Sequence, residues 1–129
     1  MKESPMAGHS YLRTHTLKAE HLFLDLGEAA IELRASEHEQ DRHAVTLVRE
    51  GGLSVVLTHL RAGATMHEHA APGPATVHVL DGHVRFLLGD EQFDAAAGRL
   101  VAFDAGVRHT VEAVEDSTLL LTLSEPHGV

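Results

Sequence analysis

Three histidines carry the clearest chemistry of this sequence, in the stretch GATMHEHAAPGPATVHVLDG from Gly63 to Gly82. His67 and His69 stand one residue apart, and His78 follows on the next apolar run. A strand alternates its faces residue by residue, so an H-x-H pair on a strand aims both imidazoles the same way. Convergent neutral imidazoles suit a divalent transition metal, whose commonest protein ligand is histidine. The chain holds 12 His in all, so position and not abundance has to select the ligands. The plain alternative for His67 and His69 is a polar edge strand in a histidine-rich sequence.

Such a pair needs a scaffold, and the chain supplies β-structure after a mixed start. Residues 1–43 read as an N-terminal arm and one short helix belonging to the same domain. Within it, Tyr11–Leu17 reads as a short strand. Asp25 and Glu28 fit a capping box, and Leu26, Ala29, Ala30 and Leu33 fall at helical spacing, which predicts a helix over 27–35. Residues 36–42 are charged and polar, as in an exposed loop. From Ala44 the pattern turns to strands over 44–49, 53–60, 65–70, 75–80, 83–88, 91–95, 99–103, 108–114 and 117–123. Turn signals such as Gly51-Gly52, Asp81-Gly82 and Ala105-Gly106 separate them. Short strands at this spacing indicate an all-β sandwich or barrel over 44–125, with residues 126–129 as a tail.

Composition narrows the function classes. At 129 residues the chain can bury a sizeable core without staples, and it has no Cys, which removes disulfides and thiolate chemistry. The formal net charge of −9 repels a phosphate backbone, so no nucleic-acid partner is expected. No apolar run reaches the roughly 18 residues of a spanning helix, so no membrane partner is expected and a cytoplasmic location is.

The motifs resemble those of the small single-domain cupins, over roughly Leu53 to Leu123. The family's first motif is a Gly, an H-x-H, a Glu and a closing Gly. Here Gly63 leads into His67 and His69 ahead of the family spacing, and Gly82 closes the stretch. The second motif is matched by Gly98, Gly106 and His109, with Asp104 where the family has Pro. Counting back from Gly82, the family's Glu ligand falls on Ala75, which cannot bind metal, and the final Asn falls near Ala113.

The resemblance implies a double-stranded β-helix, a jelly-roll barrel with a metal near its middle, in a homodimer. It implies His67, His69 and His109 as metal ligands, with His78 as the substitute for the missing Glu. Strand parity sets His78 opposite to Ala75; a shifted register or a bulge in the loop Ala70–Pro74 would return it to the interior. For His109 the plain alternative is a residue at a strand start, bonded to a loop carbonyl. An all-nitrogen site suits Fe, Ni, Cu or Zn. It resembles the three-His cupin dioxygenases, so the first expectation is a metal-dependent oxidoreductase acting on a small organic molecule. The alternatives are a non-catalytic metal or small-ligand binding or sensor cupin, and a metal-assisted isomerase or lyase. His59 shares the parity of Val55 and Leu57 and is expected as a possible pocket wall. Arg85 and Arg108 could anchor a substrate carboxylate, Asp104 could orient an imidazole or form a turn, and Phe86, Phe93 and Phe103 read as barrel packing.

Overall fold

The structure is a computed structural model that describes residues 12–17, 20–36, 40–68 and 71–125. Its helix, α1 (Leu26–Ala35), starts at Asp25, whose Oδ1 accepts from the Glu28 amide at 3.1 Å. It ends at Ser36, whose amide donates to the carbonyls of Glu32 and Leu33. The capping reading of Asp25 and Glu28 thus holds in its first half, a side-chain acceptor for an orphan helix amide.

The strands are β1 (Arg42–Glu50), β2 (Leu53–Leu60), β3 (Thr65–Glu68), β4 (Ala75–Asp81), β5 (His83–Leu88), β6 (Glu91–Ala96), β7 (Leu100–Phe103), β8 (His109–Ala113) and β9 (Ser117–Ser124). They form two antiparallel sheets, of order β1-β2-β9-β4-β7 and β3-β8-β5-β6. This is the all-β barrel that the strand spacing indicates, in the jelly-roll form that the resemblance implies.

Alternation decides what each sheet buries. The inner faces meet in a core of Leu60, Ala64, Met66, Val77, Val79, Val84, Phe86, Ala95, Phe103, Val111, Ala113, Leu119 and Leu121. The larger sheet is also apolar on its outer face, where Leu47, Val48 and Leu57 pack against Ala29 and Leu33 of α1. A bulge in β1 between Thr46 and Val48 lets Leu47 and Val48 both be buried. The arm joins the same edge through a parallel bridge from His15 to Val48, with the His15 amide donating to Leu47 O at 2.7 Å. Among the described residues, no helix is long and apolar enough to cross a membrane.

Candidate functional site

One row of the barrel interior brings together three of the positions that the sequence singles out, Ala75, Phe103 and His109. Across the larger sheet, Ser54 pairs with Leu123, Leu123 with Ala75, and Ala75 with Phe103. Residues two along from these, Val56, Leu121, Val77 and Val101, belong to or pack against the inner core, so the row faces inward. The Phe103 ring then lies flat on the His109 imidazole, with centroids 4.0 Å apart and planes 2° apart, and joins the row to β8. Phe86 backs this stack, 6.0 Å from Phe103 and 5.3 Å from Phe93. Phe86 and Phe103 are buried barrel packing, as their sequence context indicates, whereas Phe93 stacks on Phe86 but is 38% exposed.

His109 is the one imidazole that the described residues place inside. It is 9% exposed, and its Nδ1 lies 3.3 Å from Val107 O. A carbonyl can only accept, so Nδ1 carries the ring hydrogen and the neutral ring keeps its lone pair on Nε2. The segment Ala71–Pro74 is tied close by: Ala71 O accepts from the Gly106 amide at 2.9 Å, and Pro74 O accepts from Ser124 Oγ at 2.7 Å.

Two of the other expected ligands, His67 and His78, do not join it. His67 is exposed, because Met66, 3% exposed, takes the inward place on β3. His67 lies across from Thr110, on the outer face of the smaller sheet. His78 lies between Val77 and Val79, both in the inner core, and pairs with Leu120 of the outer core. A bulge does interrupt β4, but between Val79 and Asp81, beyond His78, so it does not turn that ring inward. His69 lies outside the described residues. A strict count of five residues after Gly63 puts the family's first histidine at His69 and its second at Ala71, a spacing that the H-x-H match obscured. Among the described residues there is no group of three His, Asp or Glu that could hold a metal. Ala75 offers no donor, so of the expected ligand positions only His109 faces the interior among the described residues.

The structure also places the secondary candidates. His59 shares the outer face with Val55 and Leu57, which pack under α1, so it does not line the barrel interior. Arg85 also points outward, where its Nε donates to Asp94 Oδ1 at 3.1 Å and its Nη1 lies 3.9 Å from Glu112 Oε1. His83 Nε2 lies 3.2 Å from the other Asp94 oxygen. The Arg85 hydrogen bond, and then that of His83, hold the Asp94 carboxyl below its ordinary value. Arg108 is exposed. Asp104 Oδ1 accepts from the Ala105 amide at 2.7 Å, which makes it a turn former.

Two antiparallel sheets closed around an apolar interior, with an inward histidine at one end, define a jelly-roll barrel of the cupin type. The Cupin domain family matches residues 56–124, more than half of the chain, and the chain belongs to that family. A conserved protein of unknown function from Streptococcus pyogenes, SPY1581, is 31% identical over 70% of this chain and 80% of that chain, with a TM-score of 0.63. KdgF from Halomonas sp. is 17% identical over 85% of this chain and 93% of that chain, with a TM-score of 0.62. A mutant of salicylate 1,2-dioxygenase from Pseudoaminobacter salicylatoxidans is 16% identical over 65% of this chain and 26% of that chain, with a TM-score of 0.61. The last two share the fold alone. Among curated proteins no match is found.

Proposed function

We propose that this cupin binds a small organic molecule at the barrel end lined by Ser54, Leu88, Phe103, His109 and Leu123. The observation that carries the reading is the Phe103–His109 stack beside Ala75. An alanine stands where the family's carboxylate falls, and the one imidazole that faces inward among the described residues presents a lone pair on Nε2. That nitrogen accepts a hydrogen bond from a ligand hydroxyl or amide, and the aromatic and aliphatic walls cover the ligand's apolar part. The proposal extends to a homodimer with no nucleic-acid partner, the latter supported by the net charge of −9.

The metal-dependent oxidoreductase is the competing reading, with His69 and His109 as its ligands. It is favoured by one observation, the Nδ1 contact of His109, since ligating histidines are oriented by a partner on their other nitrogen. Two measurements separate the readings. The untagged protein, purified without added metal, is analysed for its elements, and a panel of small alcohols, phenols and amides is screened by thermal shift. The binding reading expects compounds that raise Tm in the metal-free wild type and lose that effect in His109→Ala. About one transition metal per chain, lost in His109→Ala, would overturn it in favour of the oxidoreductase.

A further inference from the structure

Two connections cross the barrel at the end that holds His109. β3 and β8 belong to the smaller sheet, β4 and β7 to the larger one. The links from β3 to β4 and from β7 to β8 therefore both pass from one sheet to the other. They do so at the same end, because Glu68 pairs with His109 and Ala75 with Phe103. The two links are laced together, the Gly106 amide of the second donating to Ala71 O of the first at 2.9 Å. The strand-end residues beside them, Ala75, Phe103 and His109, are only 6%, 7% and 9% exposed.

The described part of the first link, Ala71–Pro74, is built as a strap. Pro72 and Pro74 fix their own φ and have no amide hydrogen, so the strap is stiff and is held mainly through its carbonyls. At one end Ala71 O takes the Gly106 amide. At the other, Pro74 O accepts from Ser124 Oγ at 2.7 Å and from the Ser124 amide at 3.3 Å. Between these ties Gly73 is pressed against Ser124, where a Cβ would meet Ser124 O at 2.5 Å and Oγ at 2.9 Å. Gly73 is not among the glycines with positive φ, so its missing side chain serves this close approach and not a left-handed turn.

We infer that Ala71–Pro74 is a latched strap that governs access to His109 Nε2. It is released when the Gly106–Ala71 and Ser124–Pro74 hydrogen bonds break while both sheets stay paired. A few loop hydrogen bonds open at far lower cost than a ladder of buried strands. The inference rests on the proposed function in taking His109 as the group that a ligand reaches, whether an organic molecule or a metal ion.

The test needs no ligand. Diethyl pyrocarbonate acylates a neutral imidazole nitrogen, and peptide mass spectrometry of the full chain reads the rate at each histidine. In the wild type His109 is expected to react more slowly than the exposed His67. Ser124→Ala removes one latch bond and is expected to speed His109 by about two- to tenfold, the range for one net hydrogen bond. Gly73→Ala, which pushes the strap off Ser124, is expected to speed it by roughly fivefold or more. His67 should be unchanged in both variants. Hydrogen exchange gives a second readout: the Gly106 amide should lose protection in both variants, while the Val79 amide, bonded to Arg99 O, keeps its own. An unchanged His109 rate in both variants would overturn the inference. So would an equal loss of protection at Val79, since the whole barrel would then be opening. A wild-type His109 as reactive as His67 would also overturn the strap, yet leave binding at that end standing. A failure to find any compound that raises Tm would instead count against the binding reading alone.

Discussion

The two ends of the barrel are built on opposite terms. At one end Leu60, Val79, Val84 and Leu119 are each 0% exposed, and the turn at Gly82 closes tightly over Ser117 and Asp116. At the other end Ser54, Leu88 and Leu123 are only half-buried, and a histidine takes the place of one more aliphatic residue. The closed end is apolar packing that fixes register; the open end gives up packing for a polar atom within reach of solvent. The difference teaches where a ligand can act without unfolding its host. The proposed ligand end thus lies where stability is least concentrated.

That contrast can be broken by substitution. Leu60→Ala at the closed end is expected to destabilise by about 2–5 kcal/mol in urea melts, the range for a cavity that cannot collapse. Gly82→Ala is expected to cost more than about 2 kcal/mol, because φ is +93° and a Cβ would collide with Ser117 Oγ and Asp116 O. Leu88→Ala at the open end is expected to cost about 1 kcal/mol, since the side chain is already half solvated. Equal losses for Leu60→Ala and Leu88→Ala would erase the distinction between the ends.

The smallest effect is electrostatic and lies outside the barrel. Asp94 has a folded pKa held below its unfolded value, so its contribution is present above about pH 4. It is lost as the pH falls through the lowered value. Asp94→Asn is therefore expected to reduce stability slightly at neutral pH, and the gap to wild type should shrink below about pH 4. Its exposed, salt-screened position keeps the effect small, and acid melts at low ionic strength are where it is measured. A gap that widens on acidification would contradict this.

The strand plan was legible because alternation and turn chemistry agreed: Leu53–Leu60 and His83–Leu88 have the bounds that the sequence implies. The site was harder for a definite physical reason. Period-two spacing says which side chains share a face, but not which face is inside. The apolar neighbours carry that information. Met66 between Thr65 and His67 assigns the inner face of β3 to itself, and Val77 and Val79 do the same around His78. His59 was misplaced by the same route, since the larger sheet is apolar on both faces and an outer aliphatic row imitates an inner one. His109 was legible because a second motif, and not its strand alone, fixed its place.

The central strand of the larger sheet has a kinetic consequence. β9 lies between β2 and β4, so Leu53 pairs with Ser124 and Leu60 with Ser117 across most of the barrel sequence. As the chain leaves the ribosome, β2 and β4 each present an unpaired edge until β9 arrives between them. Folding is thus gated by a late, long-range zippering step, which non-local sheet topologies make slow. The half-made barrel, with two open edges and an apolar face on either side, is the species in which aggregation competes with completion.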